Sequence, residues 1–253
     1  MSTYTNRLVA CPACGDGVER EIAQGLNAER SPSVRRAILR GSFQRFTCDA
    51  CEADFLVDSP LVYVDWAREE FMWMLPGAWE SNWRRHEVEA RALYERNTGA
   101  GAPPALAEVV TGVQVRAVFG LDALREKILI RSEHLDDHLV ELLKLLLLRD
   151  PTSGFVLSAQ QRPRLVRVDA EALVLHAPHD LDGALGYRAL SVPRARYTEL
   201  ATRRGEYGAL LGELEGCAYV DLGRLLIPGD QAPSIPEEAA ALEVELVRHP
   251  EAC

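Results

Sequence analysis

The sequence predicts an α+β protein in which a small β-rich N-terminal region is followed by a helical middle and then by an antiparallel β-meander with helices. Three observations predict it. Cys11-Pro12-Ala13-Cys14-Gly15 and Cys48-Asp49-Ala50-Cys51 are two Cys-x-x-Cys pairs separated by 33 residues. Thiols spaced by two residues grip one tetrahedral cation from a single tight turn, and two such turns supply the four thiolates of a structural, zinc-ribbon-like site. Leu139 to Leu148 is leucine-rich with almost no polar face, and beyond Pro151 come short β-prone runs divided by turn residues.

The chain has 253 residues, 47% of them hydrophobic, which is enough to bury a sizeable core. Its formal charge of −10 argues against nucleic-acid binding by the surface as a whole, because neutralising phosphates takes clustered Lys and Arg. Met1 to Ala10 holds no apolar run of signal-peptide length, and Leu139 to Leu148 is too short and too charged to span a bilayer. The reading is therefore cytoplasmic, with no membrane association, and in that reducing compartment paired cysteines hold metal rather than form disulfides.

Arg7 to Ala10 reads as a short strand entering the first knuckle. Pro12 fixes one turn residue, and Gly15 supplies a positive φ that lets backbone N–H groups point at sulfur. The second knuckle has Glu52 in the place of such a glycine. Between them Ser31 caps a helix with Pro32 in its first turn and Gly41 at its end, and Val34, Ile38 and Leu39 face inward. Arg35, Arg36 and Arg40 on that helix, with Arg30 and Arg45, form the notable basic patch of an acidic protein. It is a candidate nucleic-acid contact, weighed against a solvated helix face.

Residues 53–58, 61–65 and 70–75 read as strands, the last two as a hairpin whose second strand is apolar on both faces. Trp79, Trp83 and Tyr94 lie on an amphipathic helix from about 79 to 96, as core anchors rather than a stacking platform. The small residues and prolines of 98–104 are the best linker, dividing a region 1–97 from a region 105–253.

Cys11-Pro12-Ala13-Cys14, then Phe46-Thr47-Cys48-Asp49-Ala50-Cys51-Glu52-Ala53-Asp54-Phe55, then Phe71-Met72-Trp73-Met74-Leu75-Pro76, resembles the CpXC domain family of bacterial and archaeal type. The resemblance continues through Val118 to Ile130 and Leu135-Asp136-Asp137, covering roughly the first 150 residues. It implies metal binding by Cys11, Cys14, Cys48 and Cys51. The chain departs from the family pattern at Asp49 and Glu52, where members often have Pro and Gly, but keeps every ligand.

In the middle, Asp122 is expected to cap a helix 123–131 with Arg125, Glu126 and Lys127 on its polar face. Asp136 opens a second helix, 137–149, that must be buried on all sides, centrally or against another chain. His134 and His138 are four apart, but Leu135 stands where the zinc-hydrolase motif needs a Glu base.

Runs at 154–157, 164–168, 172–176 and 186–192 read as the meander. His176 and His179 fall in a Pro-containing turn. Ser191 and Pro193 start a helix through Arg196 to Leu200, a second helix runs from about 207 to 215, a strand follows at 218–222 with 225–227 closing the region, and a terminal acidic helix at 236–248 is opened by a capping box at Ser234.

Four protein thiolates fill a tetrahedral shell and leave no open position, so the metal is expected to be structural zinc, with iron the alternative for the same ligands. The leading functional reading is a zinc-stabilised, non-catalytic protein that binds a protein partner or itself. The alternatives are a nucleic-acid-binding module using Arg30, Arg35, Arg36, Arg40 and Arg45, and an enzyme with a site around His134, His138, His176 and His179.

Overall fold

The computed structural model describes residues 2–99, 112–150, 162–181, 184–231 and 243–246. It divides into two units, one made of Met1–Leu124 with Gly229–Glu251 and the other of Arg125–Pro228. The α+β class expected from the sequence holds in both.

The first unit carries β1 (Thr3–Ala10), β2 (Gly17–Asn27), β5 (Leu61–Asp65), β6 (Glu70–Leu75) and β7 (Gln114–Phe119) in one sheet of order β1-β2-β5-β6-β7. The β5/β6 hairpin forms with Val62 opposite Trp73. Phe71, Met72, Met74 and Leu75 of β6 are buried, as its apolar faces require, and Glu70 is buried with them while Trp73 is half-buried. The strand β2 has no counterpart in the sequence reading. Its inward row runs Val18, Arg20, Ile22, and an arginine in that row hides the alternation. The helix α1 (Pro32–Arg40) has the bounds its punctuation predicts, with Pro32 in its first turn, Gly41 left-handed at φ 71° and Ile38 buried, but the Ser31 side chain at the N-cap makes no capping hydrogen bond.

Trp79 lies in a 3-10 turn, Gly77–Asn82, that precedes α2 (Trp83–Thr98). His86 of α2 stacks on Trp79 at 5.7 Å between centroids and meets Trp73 edge-on, while Tyr94 packs edge-on against Phe71. The aromatics are thus core anchors. Of the linker proposed at 98–104, residues 100–104 lie outside the described residues.

A second, smaller sheet of this unit has the order β11-β4-β3, with β3 (Arg45–Thr47), β4 (Asp54–Asp58) and β11 (Glu243–Leu246). The helix expected at 236–248 needs correction. Glu243–Leu246 is a strand paired antiparallel with β4, whose open backbone groups outweigh local helix propensity, while 236–242 and 247–248 lie outside the described residues.

In the second unit α3 (Leu121–Ser132), which enters from the first, and α4 (Asp137–Arg149) precede the meander β8 (Arg164–Val168), β9 (Ala172–Leu181) and β10 (Ala184–Pro193), ordered β10-β9-β8 and antiparallel throughout. The run at 154–157 lies outside the described residues. Asp122 sits inside the first turn of α3 rather than capping it, where its charge still complements the helix dipole. Asp136 does cap α4, accepting from the backbone N–H of His138 at 2.9 Å. His176 and His179 lie in strand β9, not in a turn. The helix α5 (Arg194–Thr202) follows the meander, and the helix expected at 207–215 is only α6 (Gly208–Gly212) after a 3-10 turn. Residues 218–222 are buried but form no strand, and 225–227 falls at the end of α7 (Gly223–Leu226). The backbone there is held by carboxylates instead of a ladder, with Leu222 N–H donating to Glu141 and Gly223 N–H to Asp221.

The main correction is electrostatic. Glu126 and Lys127, expected on a solvated face, are buried, as are Glu141 and Lys144 of α4. Lys144 Nζ lies 2.7 Å from Glu126 and 2.9 Å from Glu141, Lys127 Nζ is 3.0 Å from Glu141, and Arg164 reaches both Glu126 and Asp221. Arg162 adds a second cation on Asp221 at 3.0 Å. Burial pushes the Glu126 and Asp221 carboxyls up, but the surrounding cations outweigh it and hold both below the usual range. Around them, Leu139, Val140, Leu143, Leu165, Leu173 and Leu175 form the core of the unit.

Breaking a buried ion pair from one side strands the remaining charges. Lys144→Met keeps the side-chain length but removes the cation shared by Glu126 and Glu141, leaving each with one cationic partner, Arg164 and Lys127, and is expected to cost about 3 kcal/mol in urea unfolding. A loss under about 1 kcal/mol would show that Lys127 and Arg164 suffice for the two carboxylates without Lys144.

Candidate metal centre

Each knuckle is the tip of a hairpin. β1 delivers Cys11 and β2 departs at Gly17, while β3 delivers Cys48 and β4 departs at Asp54. The two tips share one turn geometry. Gly15 N–H donates to Cys11 O at 2.8 Å and Cys11 N–H to Asp16 O at 2.8 Å; Glu52 N–H donates to Cys48 O at 3.0 Å and Cys48 N–H to Ala53 O at 2.9 Å. The residue after the second cysteine is left-handed in both, Gly15 at φ 79° and Glu52 at φ 58°. Glu52 therefore adopts the conformation without the glycine that would suit it.

The four sulfurs converge. Cys11 Sγ and Cys51 Sγ are 3.7 Å apart, as are Cys14 Sγ and Cys48 Sγ, and all four lie within 4.8 Å of one another. A tetrahedron with metal–sulfur bonds of about 2.3 Å has edges of about 3.8 Å. The separations are far beyond the roughly 2.05 Å of a disulfide, and the four cysteines are free. The donor set thus fits one tetrahedral metal ion, with each knuckle giving one buried thiol (Cys11, Cys48) and one exposed thiol (Cys14, Cys51).

Beneath the sulfurs, Val9, Val18, Ile22, Phe55 and Val57 form a small apolar floor. Two residues absent from the sequence reading brace it. Gln44, buried and left-handed at φ 50°, accepts from Ala23 N–H at 3.0 Å and donates to Val57 O at 3.0 Å, joining β2 to β4. Arg20 donates to Thr47 O at 2.8 Å and pairs with Asp49 at 3.1 Å, tying β2 to the second knuckle. An isolated Gln or Arg carries no local signal for such a role.

The thiols differ without an ion. For Cys11 burial works upward, but the backbone N–H groups of Cys14 and Ala13 with the neighbouring thiols lower it to about 7. For Cys51 the Ala53 N–H works downward and is outweighed by the Cys14 thiol, desolvation and the other two thiols, raising it to about 12. Cys14 is raised as well, desolvation and the Cys11 and Cys48 thiols overcoming the Asp16 N–H and the Cys51 thiol.

Among the described residues the histidine candidates do not come together in one centre. His134 is exposed beyond the end of α3, His138 faces Asp136 and Asp137 at 3.1 and 3.2 Å, and among the described residues no potential metal group joins two histidines. His176 packs near Tyr187, with ring centroids 6.3 Å apart. The carboxylates of Glu126, Glu141 and Asp221 also come together, but the Lys144 ammonium bridges the first two and satisfies them as a cation would. Of the five arginines, Arg30, Arg36, Arg40 and Arg45 are exposed, while Arg35 turns inward to within 3.9 Å of Asp65.

Two outcomes are expected. At pH 7 the raised thiols of Cys14 and Cys51 hold protons that an ion must displace, so metal binding should release at least about two protons per ion in weakly buffered solution and should weaken toward acid. Binding without proton release would mean that other groups take the ion. Glu52→Gly removes the left-handed strain at some cost in chain entropy, and should stabilise the metal-loaded protein by up to about 1 kcal/mol in chemical denaturation.

Comparison with known proteins agrees with this geometry. No curated protein and no solved structure matches the chain at a significant level. The family model described as CpXC protein matches residues 9–144, from the end of β1 through both knuckles and into α4. With more than half its length and all four cysteines inside that match, the chain belongs to the CpXC protein family.

Proposed function

We propose that this is a zinc-stabilised, non-catalytic protein that works by binding a protein partner or by associating with itself. The observation that carries the reading is the closed donor set. Four cysteine sulfurs at tetrahedral separations leave no position for a water or a substrate, so the ion holds structure instead of performing chemistry. Zinc is preferred to iron because it fills such shells without redox chemistry of its own. Four free thiols suit a reducing compartment such as the cytoplasm, and no helix among the described residues is long and apolar enough to cross a membrane. The charge of −10 favours a protein partner over a nucleic acid.

Ion binding of this kind supplies on the order of 10–16 kcal/mol of apparent folding free energy. Elemental analysis of the purified protein and of its Cys48→Ser and Cys51→Ser variants, with thermal melts in and out of chelator, tests the reading. Zinc at about one ion per chain, lost in the variants together with the lower-melting part of the fold, is the expected result. Metal that persists without those cysteines would overturn it.

A further inference from the structure

We propose that the open edge of β1 pairs antiparallel with the same strand of a second copy, about a twofold axis at Asn6. This narrows the self-association half of the functional reading and rests on it. Among the described residues β1 is the outer strand of the five-stranded sheet. Cys11 N–H donates across to Asp16 O, and antiparallel ladders alternate, so the backbone groups of Tyr4, Asn6, Leu8 and Ala10 point away from β2. The side chains along this edge are exposed from Thr3 to Ala10 except Thr5 and Val9.

Open edges are normally blunted by proline, by inward charges or by bulges. From Tyr4 to Ala10 β1 has none of these. Its single charge is Arg7, and its one irregularity lies at the Thr3 end. Instead the strand displays Leu8, 74% exposed and the most exposed large apolar side chain of the described residues, on the same face as Tyr4 at 40%.

The occupant follows from the strand's own symmetry. A twofold at Asn6 sets Tyr4 opposite Leu8 of the copy, Asn6 opposite Asn6 and Arg7 opposite Thr5, and forms about six backbone hydrogen bonds. Shifting the axis to Arg7 would set the two arginines against each other. The Glu21 carboxylates on β2 would lie three strand spacings apart, about 14 Å and beyond a Debye length at physiological salt. Two acidic chains thus meet where the strand carries no carboxylate. A ladder of this length falls short of the roughly 800 Å² per partner of a standard interface, so the pair is weak and concentration-dependent.

Sedimentation equilibrium of the full, zinc-loaded chain from about 5 to 500 µM tests this, beside Leu8→Lys and Asn6→Pro. Lysine keeps an aliphatic stem over Gly17, where Leu8 now rests, and proline at position 6 removes only an outward N–H. The expected result is a monomer–dimer equilibrium in the parent weakened at least about tenfold in both variants, with circular dichroism unchanged. A parent that stays monomeric at the highest concentration, or a dimer undiminished in the folded Leu8→Lys variant, overturns the proposal. Zinc measured on the same samples separates the two readings, since strand pairing with no bound zinc sinks the metal assignment and leaves the dimer standing.

Discussion

The convergence of four sulfurs at the tips of two hairpins is the constraint on which the N-terminal region depends. The hairpins belong to different sheets, β1/β2 to the larger and β3/β4 to the smaller. The apolar floor they share is a handful of side chains around Val9, Ile22 and Phe55, too little hydrophobic area to fix two sheets on its own. Gln44 and Arg20 add polar ties at the same seam. An ion at the tips would close the long loop between the knuckles and tie the two hairpins together.

The second unit solves a different problem by different means. A helix apolar almost all round has to be surrounded, and α4 is, but it brings Glu141 and Lys144 inside with it. Isolated, either charge would cost several kcal/mol of desolvation. Collected with Glu126, Lys127, Asp137, Asp221, Arg162 and Arg164, they set four carboxylates against four cations and hold the irregular backbone at Leu222 and Gly223. Such a network stabilises little beyond what well-packed leucine would, but it tolerates few alternative arrangements, because each displaced partner leaves a buried charge behind.

Much of this was legible in the sequence wherever the signal is local. The Cys-x-x-Cys spacing, the Pro32 opening and Gly41 stop of α1, the Asp136 cap of α4 and the 61–65/70–75 hairpin each rest on a few neighbouring residues, and each stands in the structure. The expectations that needed revision depended on distant partners. Glu126 and Lys127 read as solvated because charged residues usually are, and Glu243 to Leu246 read as helix because nothing nearby announces the edge of β4.

By itself, then, the sequence determined the two cysteine pairs, the α+β class and the elements whose ends are marked by capping or turn residues, since those are set by covalent spacing and backbone preference. Only the tertiary structure decided that the sulfurs stand at tetrahedral distances, that Arg20 and Gln44 brace them, that a chain of alternating charge on α3 and α4 lies inside, and that β1 is left at an edge. These are properties of residues far apart in the chain brought together, and the cost of an unpaired charge or an unpaired backbone group is fixed by what surrounds it.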